Sequence, residues 1–280
     1  MKDFSMTLNF HGELREYRRP VVAGIINVTP DSFYRGSRTE SADDIRLRAE
    51  TLLTAGAEWL DIGGYSTRPG ADTVEEEEEY RRLAGALEIL RRDFPDVVLS
   101  VDTFRSAVAR RCVEDWNVEI INDIGGGTLD NEMWATVASL KCAYILMHTR
   151  GTPSDMQNHT DYDNVTADVI SALAFLLQGA RAAGIADVII DPGFGFAKTT
   201  EQNFRLLADL REFRLLGCPI LAGLSRKSMI WRTLDCTPDE SLNGTTALNM
   251  VALMNGASIL RVHDAREAAE CVKLFAALNQ

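Results

Sequence analysis

The residues in this chain that could perform chemistry lie at the ends of short apolar runs. Eight runs rich in β-branched and aliphatic residues each stop at one or more polar or charged side chains. In chain order these side chains are Asn27, Asp61, Asp102, Asn122, His148, Asp191, the trio Ser225, Arg226 and Lys227, and the pair Arg261 and His263. Any one of them could simply satisfy a turn or cap a helix, because Asp and Asn are ordinary turn residues. Their shared position at the ends of eight runs predicts a functional rim.

The rim divides by charge into a group of acceptors and a group of cations. The acceptors are Asp61, Asp102 and Asp191 with the amides Asn27 and Asn122, and the cations are Arg68, Lys227, Arg261 and His263. A carboxylate matches the planar N–C–N donor edge of a heterocycle, since two parallel N–H bonds reach its two oxygens. Arg261 and His263 stand two apart on a strand, so both face one side and can bind one anion. These residues predict a donor-rich heterocyclic ligand with an anionic tail.

The elements that must position these residues are strands alternating with helices. Segments of helical periodicity separate the runs, and each run is apolar along almost its whole length. Such runs are typical of a parallel sheet covered on its faces. Eight strand–helix units predict a (β/α)₈ barrel, a single domain over residues 1–280, in which all carboxyl strand ends meet at one rim. An open doubly wound sheet is less favoured, because no G-x-G-x-x-G follows the first run. Residues 1–20 are expected to form an extension that closes the barrel bottom.

Composition limits the partners. The 280-residue chain has a formal net charge of -12 at pH 7, so phosphates of nucleic acids or of an anionic membrane would be repelled over most of its surface. Its five cysteines, scattered and without a C-x-x-C pair, are typical of a reducing compartment. No apolar run reaches the roughly 20 residues of a membrane span, and the N-terminus lacks a signal-peptide pattern. We expect a cytoplasmic protein with no nucleic-acid or membrane partner.

Two polar loops follow early strands and are long for strand-to-helix connections, which makes segments 30–38 and 66–71 lid candidates. Thr67 and Arg68 would bring donors over an anionic leaving group and exclude water. Lys227 could donate to a ring acceptor or be a solvated lysine at a helix start. Ser228 could cap the next helix or bind a substrate carboxylate, and the sequence does not separate these two roles.

Eight motifs at the strand ends resemble those of the dihydropteroate synthase family. They are NVTPDSF (27–33), DIGGYSTRPGA (61–71), SVDT (100–103), INDI (121–124), LMH (146–148), DPGFGF (191–196), GLSRKS (223–228) and RVHD (261–264). One motif alone would be weak, but together they run in order from about residue 20 to 275. The resemblance implies a folate-pathway transferase that joins 4-aminobenzoate to 6-hydroxymethyl-7,8-dihydropterin diphosphate. Diphosphate leaves first, and the arylamine then attacks the cationic methylene.

The resemblance also implies a role for particular residues. The pterin would be held by Asp102, Asn122, Asp191 and Lys227, with Asp61 near the forming cation and Met147 lining the slot. The diphosphate would be held by Thr67, Arg68, Arg261 and His263, and the aminobenzoate pocket would include Phe33, Phe196 and Ser228. Asn27 would meet a Mg²⁺ ion. Of these residues, Asp61, Asp102, Lys227 and Arg68 are the catalytic candidates. The family's usual homodimer would form through the last helices.

Three positions depart from the family's pattern. Tyr65 replaces a common glutamate, Arg35 stands where an acidic residue is common, and the fourth strand continues into three glycines, 125–127. The acidic run 75–79 is interpreted as a solvated helix start with the pairs Glu77–Arg81 and Glu78–Arg82.

Two other functions remain open on the sequence. A corrinoid-type pterin methyltransferase would share the barrel and the acids, but it needs no arginine loop over a diphosphate. A paralogue that binds pterin without turnover is the other alternative, and Arg35 is the residue that keeps it open.

Overall fold

The computed structural model describes residues 4–28, 38–65 and 74–279. The strands are β1 Met6–Phe10, β2 Glu13–Tyr17, β3 Val21–Asn27, β4 Trp59–Gly63, β5 Val98–Asp102, β6 Ile120–Asp123, β7 Ala143–Met147, β8 Val188–Asp191, β9 Leu221–Ala222 and β10 Ile259–Val262. The α-helices are α1 Arg38–Thr54, α2 Glu76–Asp93, α3 Ser106–Trp116, α4 Met133–Leu140, α5 Val165–Ala182, α6 Thr200–Ala208, α7 Ser228–Thr233, α8 Leu242–Met254 and α9 Ala265–Leu278.

Strands β3 to β10 form one parallel sheet that curls into a barrel. Neighbours follow the order β8-β7-β6-β5-β4-β3-β10-β9, and a parallel bridge between Ile190 and Ile220 joins the two ends of the sheet. Each strand connects to the next through a helical segment on the outside, which is the arrangement expected of parallel neighbours. The (β/α)₈ barrel predicted from the sequence is confirmed.

The lower interior of the barrel is a buried apolar layer. Alternate residues of the strands point inward and form it, among them Val21, Trp59, Val98, Ile120, Ala143, Ile189, Leu221 and Ile259. The antiparallel hairpin of β1 and β2 packs Met6, Leu8 and Phe10 against this layer from below. At the hairpin turn the His11 ring contacts two carbonyl oxygens at the barrel bottom, those of Leu140 at 3.3 Å and Val118 at 3.0 Å. The amino ends of the strands are therefore covered, and the carboxyl ends remain for ligands.

The helices bury their apolar faces against the outside of the sheet. Helix α5 is long and apolar enough by composition to cross a membrane, but Val169, Leu173 and Leu177 are buried in the core between helices and sheet. It is a packed helix of the barrel. Thr199 is the N-cap residue of helix α6. Its hydroxyl accepts from the backbone N–H of Gln202, and the side-chain oxygen of Gln202 accepts from the backbone N–H of Thr199, which completes a capping box. This firm start fixes the chain just beyond the turn after β8.

Candidate active site

Side chains alternate between the two faces of each strand, and the inward side chains just above the apolar layer are polar. In β4 the inward residues are Trp59 and then Asp61, and in β5 they are Val98, Ser100 and Asp102. Lateral register then aligns residues of four neighbouring strands at one height. These residues are Asn27, Gly63, Asp102 and Asn122. The strand-end residues identified from the sequence are thereby brought into one barrel mouth.

Asp61 lies at the centre of this mouth and is almost completely buried, at 2% exposure. Its Oδ1 accepts from the Ser100 hydroxyl at 2.5 Å, and the Asn122 amide nitrogen lies 3.4 and 3.3 Å from its two oxygens. Its Oδ2 accepts from Arg261 Nε at 2.6 Å. Three donors from three other strands hold this carboxylate in place, so it is preorganised and needs no rearrangement to face a developing positive charge.

Asp102 shares the guanidinium of Arg261 with Asp61. Arg261 Nη2 lies 2.8 Å from Asp102 Oδ2. Burial raises the pKa of Asp102 to about 7, while the attraction of Arg261 lowers it and the repulsion of Asp61 raises it. Burial works against the charged form of Arg261 as well, but the two carboxylates raise its pKa above the ordinary value. When Asp102 is ionised, these two acids and one guanidinium together carry one net negative charge.

The sequence grouped Arg261 with His263 as an anion-binding pair; in the structure the Arg261 guanidinium bonds two acids, and its charge also acts on the His263 ring. Arg261 lies among the acids, because its strand closes the barrel beside β3 and its long side chain spans the mouth to β4 and β5. His263 is half-buried, and its backbone N–H donates to the Ser225 hydroxyl at 3.1 Å. Burial, followed by the charge of Arg261, lowers the pKa of His263 to about 4. The neutral imidazole would therefore meet an anion as a hydrogen-bond donor.

Asp191 and Lys227 form the other side of the mouth. Asp191 is buried, its Oδ1 accepts from the Gly193 amide at 2.7 Å, and burial raises its pKa while the charge of Lys227 lowers it. Lys227 precedes α7, and its Nζ donates to the Phe194 carbonyl and lies 4.8 Å from the centre of the Phe196 ring. Burial lowers the pKa of Lys227 to about 8. A flat ring between these groups would find an acceptor, a donor and an aromatic wall.

The neighbours of Lys227 in the chain take different directions. Arg226 has a left-handed backbone (φ 54°) and pairs with Asp264 at 2.9 Å, so it holds the start of the loop and not the mouth. Ser228 is the first residue of α7 and lines a cleft of about 680 Å³ together with Gly195, Lys198 and Trp231. Gly195 and Ser228 are the chain neighbours of Phe196 and Lys227, and Ser228 is a residue that the resemblance assigns to the aminobenzoate pocket.

The turn after β6 explains the three glycines. Asp123 accepts from the amides of Gly125 and Gly127, each at 2.7 Å, and from the Tyr144 hydroxyl at 2.6 Å. Gly126 has φ 58°, and a Cβ there would lie 2.6 Å from the Met147 carbonyl oxygen. Only glycine permits this approach without displacing backbone. The turn therefore packs directly on the end of β7, where Met147 is buried with 3% exposure.

Two residues near the site, Ser100 and Lys198, were not predicted from the sequence. Ser100 stands two residues before Asp102, so the period of a strand was a sufficient signal for an inward polar residue. Lys198 follows the motif of β8 by two residues and is buried at 3% exposure. Its signal was weak, because a lysine after a glycine-rich turn usually reads as solvated. His148 was counted on the rim, yet it lies on the outer side of β7, where Lys198 Nζ contacts its Nδ1 at 3.1 Å.

The acidic run after the second loop is only partly solvated. Glu78 pairs with Arg82 at 2.7 Å as predicted, but Glu77 pairs with Arg111 of α3 at 2.6 Å, and the predicted Glu77–Arg81 pair is wrong. Glu79 is completely buried, which contradicts the solvated interpretation, because helical spacing turns this residue toward the sheet. It accepts from the Thr103 hydroxyl at 2.6 Å and pairs with Arg105.

Tyr65, the departure in the second loop, has an aromatic environment. Its ring lies edge-on to Phe104 at 5.4 Å, and the Arg105 guanidinium lies 5.5 Å from its centre. A glutamate would offer Arg105 a carboxylate, whereas Tyr65 offers the face of a ring. The loop residues of the sequence prediction, Phe33, Arg35, Thr67 and Arg68, lie outside the described residues.

Asn27 is the predicted Mg²⁺ contact. It ends β3 half-buried, and a Cβ at Gly63 would lie 3.6 Å from its Oδ1 and 3.7 Å from Asp102 Cβ. The glycine thus leaves room between an amide oxygen and a carboxylate. Among the described residues no cluster of three or more His, Cys, Asp or Glu side chains could hold a metal alone. Mg²⁺ needs only one or two protein oxygens when it keeps waters and binds substrate phosphates, so Asn27 fits such an ion.

Comparison with known proteins agrees with this geometry. The sequence model of the family described as "Pterin binding enzyme" matches residues 23–263. The dihydropteroate synthase of Synechocystis is 42% identical over 93% of this chain and 91% of that protein. The enzyme of that name from Escherichia coli K12 is 39% identical over 97% and 96% of the two chains.

Solved structures give the same result. The Yersinia pestis dihydropteroate synthase, solved with a sulfonamide drug complex, superposes with a TM-score of 0.90 at 38% identity and covers 98% of this chain and 99% of its own. The Xanthomonas albilineans enzyme with 4-aminobenzoic acid has a TM-score of 0.90 at 37% identity, with 99% of both chains covered. This chain belongs to the pterin binding enzyme family and, within it, to the dihydropteroate synthases.

Proposed function

We propose that this protein condenses 6-hydroxymethyl-7,8-dihydropterin diphosphate with 4-aminobenzoate and releases 7,8-dihydropteroate and diphosphate. The observation that carries this proposal is the mouth itself, where Asp61, Asp102 and Asp191 face Arg261 and Lys227 within one ring of strand ends. The family assignment favours the same reaction over a corrinoid-dependent methyl transfer. The carboxylates accept from the donors of a pterin edge, and the cations complete the pocket.

The pterin would lie across the mouth with its donor edge toward the acids. Asp102 and Asp191 would accept hydrogen bonds along that edge, and Asn122 can accept and donate. Lys227 would donate to a ring acceptor. Each of these side chains is positioned by a strand end or by the start of α7. Met147 closes the slot from β7, which keeps water from the ring.

The bond that breaks joins the pterin methylene carbon to the diphosphate oxygen, which keeps the electron pair. The methylene then carries positive charge, and the net negative charge of Asp61, Asp102 and Arg261 together stabilises it. The 4-aminobenzoate nitrogen next forms the new C–N bond and loses a proton. The chain need not supply a nucleophile, because the arylamine is one.

The leaving diphosphate needs donors on its own side of the mouth. His263 is the described residue in position to donate there, and Thr67 and Arg68 are the predicted donors outside the described residues. Asn27 would hold the Mg²⁺ ion, which when bound neutralises charge on the diphosphate. The arylamine would enter along the cleft beside Phe196 and Ser228.

A direct assay tests the proposal. Purified protein is mixed with the pterin diphosphate, 4-aminobenzoate and Mg²⁺, and dihydropteroate and diphosphate are measured. Asp102→Asn should lower kcat/KM by roughly 100-fold or more, the scale of losing one preorganised electrostatic group. Asp96→Asn, the same change at an exposed residue of the barrel bottom, is the control. A sulfonamide should compete with 4-aminobenzoate. Pterin binding without product would instead indicate a non-catalytic paralogue.

We further propose a homodimer through the last two helices. Val251 and Met254 of α8 and Leu274 and Leu278 of α9 expose 39%, 54%, 60% and 65% of their surface. Each pair lies on one face of its helix, and the two helices pack against each other. Light scattering should give twice the monomer mass, and Met254→Glu with Leu274→Glu should return it to 31.0 kDa.

The free cysteines of the described chain are consistent with a cytoplasmic location.

A further inference from the structure

The turn Gly193–Phe196, which follows Asp191, has no regular secondary structure, yet each of its four carbonyl oxygens accepts a hydrogen bond from a side chain. The donors are Lys198 to Gly193 at 3.0 Å, Lys227 to Phe194, Gln157 to Gly195 at 3.2 Å and Lys198 to Phe196 at 2.9 Å. Lys198 therefore holds both ends of the turn. Phe196, at one of these ends, is the predicted wall of the arylamine pocket.

Lys198 Nζ has three partners, and burial lowers the pKa of Lys198 to about 7. Its ammonium has three N–H donors, and it meets two carbonyls and, at 3.1 Å, the Nδ1 atom of His148. When Lys198 is protonated, the ring nitrogen is the acceptor, and the imidazole proton lies on Nε2. Burial, followed by the charge of Lys198, lowers the pKa of His148 to about 2. A neutral histidine directly after β7 thus serves as the third acceptor of protonated Lys198.

Lys198 and Lys227 both bind this turn, but only Lys227 faces the barrel mouth. Lys227 has three N–H donors, so it can bind a pterin acceptor and the Phe194 carbonyl together. Lys198 is buried at 3% exposure, and its hydrogen-bond partners are the two turn carbonyls and His148. Asp191 belongs to β8 and accepts from the Gly193 amide, so Lys198 acts on it as a neighbouring charge and not as a hydrogen-bond partner.

We propose that Lys198, with neutral His148 as its acceptor, is a positioning residue for the arylamine half of the site. It keeps Phe196 in place while Lys227 engages the pterin. The inference rests on the proposed function, in which Phe196 lines the 4-aminobenzoate pocket. It predicts that loss of Lys198 weakens the arylamine and leaves the pterin diphosphate almost unaffected.

The experiment measures KM for each substrate in Lys198→Met. The KM for 4-aminobenzoate should rise roughly tenfold, as expected for losing about one net charge-assisted hydrogen bond, and the KM for pterin diphosphate should stay within about twofold. His148→Gln retains an acceptor and should resemble the wild type, whereas His148→Leu should shift the same KM in the same direction. If Lys198→Met does not fold, the comparison of His148→Gln with His148→Leu tests the inference instead.

The matched control is Arg91→Met at the opposite end of the barrel. Arg91 also holds loop carbonyls, those of Val97 at 2.8 Å and Asn117 at 2.6 Å, but far from the mouth. It should lower stability and change neither KM. Equal rises of both KM values in Lys198→Met, no rise at all, or the same shift in Arg91→Met would overturn the inference while the proposed function stands. A wild type that forms no product would remove both.

Discussion

The pairing of Arg261 with two buried acids gives the sharpest test of the site. Arg261→Met keeps much of the side-chain volume and removes the bonds to Asp61 at 2.6 Å and to Asp102 at 2.8 Å. Breaking a buried ion pair on one side costs about 3–5 kcal/mol, because an uncompensated charge remains inside. We expect the free energy of unfolding to fall by about that much at pH 8.

The loss should depend on pH. The folded-state pKa of Asp102, raised by burial to about 7, exceeds its unfolded value of about 3.9, so its burial destabilises the fold increasingly as pH rises between these values. Arg261 holds that pKa down, and its removal raises the pKa further and extends the fall in stability to higher pH. At pH 5 Asp102 is protonated in both proteins, and the difference between them should be smaller.

Denaturant unfolding at pH 5 and pH 8 measures the difference directly. Arg266→Met is the control, since Arg266 forms the same kind of pair with Glu270 at 3.1 Å but is 77% exposed. That change should cost no more than about 0.5 kcal/mol at either pH. The reasoning fails if Arg261→Met costs no more than Arg266→Met, or if its cost is the same at both pH values.

Three further predictions concern pH, backbone and metal. The kcat/KM for pterin diphosphate should rise as pH passes about 7, where Asp102 ionises, and fall above about 8, where Lys227 loses its proton; a flat profile from pH 6 to 9 would contradict the assigned roles. Gly126→Ala should lower the free energy of unfolding by about 1–3 kcal/mol in a denaturant titration, whereas Gly85→Ala, in open space on α2, should raise it by up to about 1 kcal/mol; equal effects would show that Gly126 is not crowded. Chelation of Mg²⁺ should stop product formation, and Asn27→Ala should raise the Mg²⁺ concentration for half-maximal rate; an unchanged requirement would remove Asn27 from the metal.

Strand alternation made much of the site predictable. Asp61, Asp102, Asn122 and Asp191 were identified because each ends an apolar run, and a parallel barrel brings such ends together. The same rule would have found Ser100, two residues before Asp102. It could not find Lys198, whose burial depends on a turn and on a histidine 50 residues away.

The acidic run shows the other limit. In the sequence Glu79 is indistinguishable from the four acids before it, and only the docking of α2 on the sheet placed it beside Thr103 and Arg105. A charge run reports composition, whereas burial depends on which helical face meets the sheet.

The sequence by itself determined the barrel, the family and the set of groups at its mouth, because these follow from local periodicity and from residue types in order along the chain. Only the tertiary structure decided how the groups divide. Arg261 meets acids 200 and 159 residues away, and burial together with the charge of Arg261 lowers the pKa of His263. Contacts across the barrel depend on lateral register, and burial sets the pKa values, so neither can be read from spacing along the chain.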